Sequence, residues 1–255
     1  MYATERHAEI AREVAASRRI SVRETARRFG VTTETVRRDL DQLEREGVLR
    51  RVHGGAVPAG ATTSFEPRFT ERELVASGQK DAIALAALQL LPGARGSIIL
   101  DAGTTTRALA ARLGAATPLT VITNAPATAA IVLESPSVSV QMIGGRLRSS
   151  SQAAVGPQAV AALDALRVDV AFLGTNGLSL DYGLSTPDPD EAFAKAAMVR
   201  AGRRVVVLTD SSKFGEESLN RFAELSAIDV VVTDDGISHD DVAALEALDI
   251  DVVIA

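Results

Sequence analysis

A chain of 255 residues, 46% of them hydrophobic, has material for one or two folded domains, and its net charge of −6 is unevenly spread. The absence of cysteine excludes disulfides and thiolate zinc sites, and His7, His53 and His239 lie too far apart for a metal-ligand spacing, so no metal or other cofactor is expected. No apolar run approaches the roughly 20 residues of a membrane span and no signal peptide is visible, which predicts a cytoplasmic protein without a membrane partner.

Residues 4–17 read as a first helix, with Ile10 and Val14 inward and Arg6, Glu9, Arg12 and Glu13 outward. A shorter helix over residues 22–29 ends at Gly30. After a turn, Thr32 is placed to cap a third helix whose Val36, Leu40 and Leu43 recur at helical spacing, with Thr33, Glu34, Arg37, Arg38 and Asp41 on the other face. That helix stops at Gly47, and residues 48–55 read as a two-strand ribbon carrying arginines. Helix, tight turn, helix and wing together place the start of the last helix against base edges, while the wing and helix ends hold phosphates. Candidate DNA contacts are therefore Ser21, Thr32, Thr33, Thr35, Arg37, Arg38, Arg50, Arg51 and His53.

Charge separates this reading from a merely solvated surface. Residues 1–57 hold 12 Lys+Arg against 9 Asp+Glu, a net +3, so the remainder of the −6 chain carries −9. With 4% aromatic residues and no tryptophan, base stacking on single strands is disfavoured, and double-stranded operator DNA is the expected partner.

Arg6, Ile10 and Val14, then Thr32, the run from Thr35 to Leu40, and Arg51-Val52-His53-Gly54-Gly55-Ala56 resemble the N-terminal domain of the DeoR family of bacterial transcriptional regulators. The likeness continues through nearly the whole chain.

Residues 58–72 are small, polar and without periodicity, which marks a linker between a DNA-binding domain at 1–57 and a second domain at 73–255. In the second domain strand signals at 97–100, 119–122, 138–143, 168–173, 204–208, 229–232 and 251–254 are separated by helical stretches at 107–113, 126–133, 158–166, 190–201 and 240–248, after a first helix at 80–91. Apolar strands alternating with helices predict an α/β domain with a mainly parallel sheet covered on both faces.

Ligands of such sheets sit outside the carboxyl ends of the strands, and every end here is polar or glycine-rich. The stretch Gly103, Thr104, Thr105 and Thr106 offers N–H groups and hydroxyls suited to a phosphate, Asp101 could accept sugar hydroxyls, and Arg146 or Lys213 could neutralise the anion. Only three lysines occur, Lys80, Lys195 and Lys213, in a chain that otherwise uses arginine.

These strand ends also look like the family's sensor domain, whose fold resembles ribose-5-phosphate isomerase and whose effectors are phosphorylated sugars or sugar acids. The resemblance implies an effector pocket of Asp101, Gly103, Thr104, Thr105, Thr106, Thr123, Asn124, Gly144, Gly145, Arg146, Asn176, Glu191, Lys195, Asp210 and Lys213. Where most of the family has an acid, this chain has Asn176. The form Gly174-Thr175-Asn176-Gly177-Leu178-Ser179, followed by Thr186-Pro187-Asp188-Pro189, resembles the branch that represses fructose uptake and phosphorylation genes, which points to fructose 1-phosphate or a similar effector.

The expected function is thus a repressor acting as a homo-oligomer, a dimer or tetramer, on paired half-sites. The competing reading is an aldose–ketose phosphate isomerase fused to a DNA-binding domain. That chemistry needs a general base beside the substrate C–H. Asn176 cannot serve, which leaves Asp101, Asp210 or Glu191, and no catalytic residue is assigned.

Overall fold

The structure, a computed structural model, describes residues 2–17, 20–52, 54–58, 69–113 and 118–255. The chain divides into two compact units, Met1–Thr63 and Ser64–Ala255. His53 and residues 59–68, most of the stretch expected as a linker, lie outside the described residues.

The first unit runs α1 (Ala3–Ser17), β1 (Ile20–Ser21), α2 (Val22–Phe29), α3 (Thr33–Arg45), β2 (Leu49–Val52) and β3 (Gly55–Pro58). Gly30 closes α2 in the left-handed region at φ 64°, which lets the Val31 N–H reach back to Ala26 O at 3.1 Å and turns the chain at once toward α3. Thr32 caps α3, its hydroxyl accepting from Thr35 N at 3.1 Å. Ile10, Val14, Val36, Leu40 and Leu43 meet Ile20, Leu49 and Ala56 in one small core. The wing has three strands in the order β1-β3-β2, because the two residues Ile20 and Ser21 pair with Ala56 and Gly55. A two-residue strand leaves no periodicity to read.

Arg6, expected on the outer face of α1, is buried. It stands one helical turn before Ile10 and therefore shares its face, where it meets Asp39 of α3 through Nε to Oδ2 at 2.5 Å and Nη2 to Oδ1 at 2.8 Å, with His7 Nε2 at 2.9 Å from Oδ1.

The second unit opens with α4 (Phe69–Leu74), which starts inside the stretch expected as linker, and α5 (Ser77–Ala87). There follow β4 (Ser97–Leu100), α6 (Thr104–Ala110), β5 (Leu119–Thr123), α7 (Pro126–Val132), β6 (Val138–Met142), β7 (Arg146–Leu147), β8 (Ala154–Val155), α8 (Pro157–Asp164) and β9 (Val168–Leu173). The remainder is β10 (Gly177–Ser179), β11 (Gly183–Thr186), α9 (Pro189–Ala201), β12 (Gly202–Leu208), β13 (Asn220–Ala223), β14 (Val230–Thr233), α10 (His239–Glu246) and β15 (Asp251–Ile254).

Seven strands form a fully parallel sheet in the order β15-β14-β12-β9-β4-β5-β6. Alternate residues of the central strands serve opposite cores. Ile98 and Leu100 pack with Ile83, Leu109 and Val132 from α5, α6 and α7, while Ile99 and Leu173 pack with Leu163, Met198 and Leu245 from α8, α9 and α10. This is the predicted two-faced α/β sheet. Beyond it the sequence signals missed a small antiparallel sheet, β10-β11-β13. Its strands have three or four residues, and at Gly183 (φ 87°) a Cβ would stand 2.4 Å from Ala223 O, so glycine is required by contact as well as by backbone.

Chain order reverses across β4: the next two strands lie on one side of it, and β9, β12, β14 and β15 on the other. The switch point is therefore between the carboxyl ends of β4 and β9. Among the described residues no helix is long and apolar enough to cross a membrane, and no group of three or more acidic, histidine or cysteine side chains could hold a metal.

Burial alone would raise the Asp39 carboxyl, but the hydrogen bonds from Arg6 and His7 outweigh it and hold it below its ordinary value. Asp39→Ala strands the Arg6 guanidinium and should cost the first unit about 3–5 kcal/mol in urea denaturation. In the wild type the carboxylate's contribution is present above pH of about 4 and disappears as pH falls through the lowered value, so the stability gap between wild type and variant should be full at neutral pH and narrow as the pH falls through that range. A flat urea midpoint in Asp39→Ala would show that the pair does not hold α1 to α3.

Candidate functional site

On the first unit the outer face of α3 presents Thr33, Glu34, Arg37 and Arg38, the last two with 54% and 80% of their side chains exposed. Glu34 stands 3.5 Å from Arg37 and 3.8 Å from Arg38, exposed pairs of the kind that contribute little and yield readily to a phosphate or base edge. The Thr32 and Thr35 hydroxyls lie 2.8 Å apart at the start of the helix. On the wing, Arg50 is half-buried, and Arg51 is drawn onto α3, its guanidinium on Asp41 and its N–H on Glu44 Oε1 at 2.5 Å. Ser21 sits in the sheet opposite Gly55.

On the second unit the switch point holds a buried knot. Asp101, directly after β4, accepts from Gly174 N, directly after β9, at 3.1 Å and pairs through Oδ2 with Lys195 Nζ. Lys195 also donates to Gly174 O at 2.9 Å and lies 5.3 Å from the centre of the Phe222 ring. Asp101 and Lys195 have 1% and 4% of their side chains exposed. Glu191, one helical turn earlier on the same face of α9, is also buried and meets Arg148 at 2.6 Å, and Asp188, which caps α9, lies 3.2 Å from the same arginine. At the surface Arg146 pairs with Asp190 at 2.5 Å.

Other expected residues are engaged with backbone. The Thr106 hydroxyl donates to Asp101 O at 2.7 Å and Gly103 O at 3.1 Å, and Thr123 Oγ1 accepts from Ala125 N at 3.1 Å. Thr104 is half-exposed and Thr105 buried at the start of α6. Asn176 accepts from the Thr186 hydroxyl at 3.0 Å. Asn124 donates to Ala154 O at 3.0 Å, while its buried Oδ1 finds no partner among the described residues. Gly145 lies against the backbone of Val155, and Gly144, Gly145 and Arg146 line a surface depression with Gln158 and Ala162.

After β12, Asp210 accepts from the Ser212 N–H and hydroxyl, and Lys213, half-exposed, donates to Ser212 Oγ at 3.2 Å. Two residues escaped sequence reasoning. Arg148 pairs with an acid 43 positions away, a separation without local signal. Lys80, noticed there only because lysine is scarce, is buried and donates to Arg72 O at 2.5 Å and Val75 O at 2.6 Å. Burial, with Lys213 and Arg72 adding to it and Asp210 and Glu73 opposing, pushes its ammonium down to about 8.

Residues 6–60 match the DeoR-like helix-turn-helix domain and residues 75–235 the DeoR C terminal sensor domain. The chain belongs to the DeoR family. It is 36% identical over 254 residues to the HTH-type transcriptional regulator GlpR of Haloferax volcanii, covering 99% of this chain and 98% of that one. It is 33% identical over 234 residues to an uncharacterized HTH-type transcriptional regulator, FruR, of Bacillus subtilis, covering 92% of each. Among solved structures, ribose 5-phosphate isomerase A from Methanocaldococcus jannaschii matches 54% of each chain at 18% identity and a TM-score of 0.40. The protein is thus a DeoR-family transcriptional regulator with an N-terminal DNA-binding domain and a C-terminal sensor domain, and the knot of Asp101, Gly174 and Lys195 lies at the switch point of that sensor sheet.

Lys195→Met leaves the Asp101 carboxylate buried without its cation and should lower sensor-domain stability by about 3–5 kcal/mol. Asp101→Asn combined with Lys195→Met should recover much of that loss, because neither charge then remains. Equal urea midpoints for the single and double variants would separate the two residues energetically.

Proposed function

We propose that the regulator is a repressor whose α3 reads operator DNA in a major groove and whose sensor domain answers a phosphorylated sugar at the carboxyl edge of its sheet. The observation that carries the effector half is Lys213. Of the cations at this edge, Lys195, Arg146 and Arg148 each pair with a carboxylate, and Lys80 is spent on two backbone carbonyls. Among the described residues Lys213 donates only to a neighbouring serine hydroxyl, which leaves its charge for an anion.

The proposed effector set keeps Asp101, Gly103, Thr104, Thr105, Thr106, Thr123, Asn124, Gly144, Gly145, Asn176, Glu191, Lys195 and Asp210 around the anion held by Lys213, with Arg146 at the rim. Asn124 Oδ1, buried and without a partner, suits a sugar hydroxyl. Fructose 1-phosphate is the first candidate, from the resemblance carried by Gly174 to Ser179 and from the name of the Bacillus relative. Arg37, Arg38 and Thr33 are the proposed base-edge readers, with Ser21, Arg50 and Arg51 toward phosphates, and paired half-sites call for a homo-oligomer.

Binding rather than turnover is favoured by the state of the three carboxylates that an isomerase could have used as its base. Asp101 is held by Lys195, Glu191 by Arg148 and Asp210 by the Ser212 turn.

Lys213→Met should fold and bind operator normally yet require about tenfold to hundredfold more fructose 1-phosphate for the same response, as expected from losing a charge-assisted hydrogen bond of about 1.5–3 kcal/mol. Titrating the sugar phosphate against a preformed protein–operator complex reads this, and an unchanged midpoint would exclude Lys213 as the anion's anchor. Replacing Arg37 or Arg38 by Ala should cost on the order of 1–3 kcal/mol at a duplex selected from a random library, and little on unrelated duplexes. Unchanged affinity of both variants for the selected duplex would overturn the docking of α3.

A further inference from the structure

We propose that α4, with the turn that follows it, is the coupling element of the sensor domain: Lys80, Arg107 and Phe69 fasten it to the sheet's carboxyl edge, and an anion beside Lys213 tightens that fastening. The inference rests on the reading that the effector is an anion at this edge, and it adds the route by which binding leaves the pocket.

Position comes first. In the chain, α4 is the first described element after the residues that join the sensor to the DNA-binding unit, so any signal passed along the backbone goes through it. Three attachments come from the edge of the sheet where the strand ends are polar. Phe69 N donates to Ser150 O at 3.0 Å, in the loop between β7 and β8. Arg107, on α6, reaches Glu73 at 3.0 Å and stands 5.6 Å from the centre of the buried Phe69 ring. Lys80, on α5, closes the far end by donating to the carbonyls of Arg72 and Val75, the groups a helix leaves unsatisfied at its C-terminus.

The turn held by Lys80 is itself under tension. Ala76 stands at φ 52° and ψ 36°, a left-handed conformation that costs a non-glycine residue energy and persists only where neighbours impose it. Lys80 holds this turn from both sides, its ammonium on the Arg72 and Val75 carbonyls and its backbone N–H on Ala76 O at 3.0 Å.

The charges around Lys80 connect this clamp to the pocket. Asp210, Lys213, Arg72 and Glu73 are the groups that act on it, the first two from the turn after β12 and the last two from α4. Lys213 repels the Lys80 proton. An anion bound on Lys213 offsets that repulsion, Lys80 is protonated more fully, and a fully charged ammonium makes stronger bonds to the Arg72 and Val75 carbonyls than a neutral amine. The bound sugar phosphate thus stabilises the strained turn without touching it.

The test uses the full-length protein with fructose 1-phosphate as probe at pH 8. Calorimetry in buffers of different ionisation enthalpy should show net proton uptake on binding, because burial pushes the Lys80 ammonium down to about 8. Hydrogen exchange of the amides from Phe69 to Lys80 should slow about tenfold in the bound state. Lys80→Met should abolish the proton uptake while the probe still binds. Arg107→Gln, which removes a half-exposed side chain and leaves Lys80 in place, should keep proton uptake and probe affinity but lose the probe's effect on operator binding. Bound probe that leaves α4 exchange unchanged, or an Arg107→Gln variant that answers the probe like the wild type, would overturn the proposal while leaving the effector reading intact. No heat of binding from the probe in the wild type, with none from other sugar phosphates, would overturn both.

Discussion

The sensor domain is organised by one buried ion pair, Asp101 with Lys195. Two charges taken out of water cost several kcal/mol each, and their attraction returns that only when the geometry is good and the remaining lone pairs and protons are satisfied. Here they are satisfied by Gly174, whose N–H serves the carboxylate and whose carbonyl serves the ammonium. The pair therefore contributes position more than stability. It pins the ends of β4 and β9 together at the point where the strand order reverses, and it sets α9 at one height against that edge. With α9 so placed, Glu191 reaches Arg148, and Asp190 reaches Arg146. The polar edge is mostly a set of closed pairs, and Lys213 is conspicuous as the exception.

The DNA-binding unit solves a similar problem on a smaller core. A small apolar core gives it little to register α1 against α3, and the bidentate contact between Arg6 and Asp39 supplies a directional constraint in place of more apolar area. With Val36, Asp39, Leu40 and Leu43 turned inward, Arg37 and Arg38 are left on the outer face of α3, so the buried pair helps to set which face is exposed.

Much of this was legible in the sequence, for physical reasons that also mark where legibility stops. The central parallel strands are visible because both of their faces are buried, which writes runs such as Ser97 to Leu100 and Val168 to Leu173. The cap at Thr32 and the stop at Gly30 were visible because each depends on a single residue type. The small sheet of β10, β11 and β13 was not, since strands such as Gly177–Ser179 are short and carry Gly and Ser for contact and hydrogen bonding. Arg6 is buried where its charge predicts exposure, because its four-residue step to Ile10 puts it on the buried face. The candidate residues themselves were named, but their states were not. Whether Asp101, Glu191 or Lys213 is free or paired depends on partners many positions away, and pairing across the fold has no local signature. Lys80 shows the same limit, since its role depends on the carbonyls of a helix that read as linker.

Operator binding and the proposed sugar-phosphate binding are two properties of one chain linked by a free energy, typically about 1–3 kcal/mol, so each ligand must alter the affinity for the other by the same factor. The most direct measurement is fluorescence anisotropy of a library-selected operator duplex titrated with wild-type protein, with and without saturating fructose 1-phosphate, paired with calorimetry of the sugar phosphate on free and operator-bound protein. The predicted result is an equal fold-change of about 5- to 150-fold in both directions. Sugar phosphates that bind the protein but leave operator affinity unchanged would contradict it.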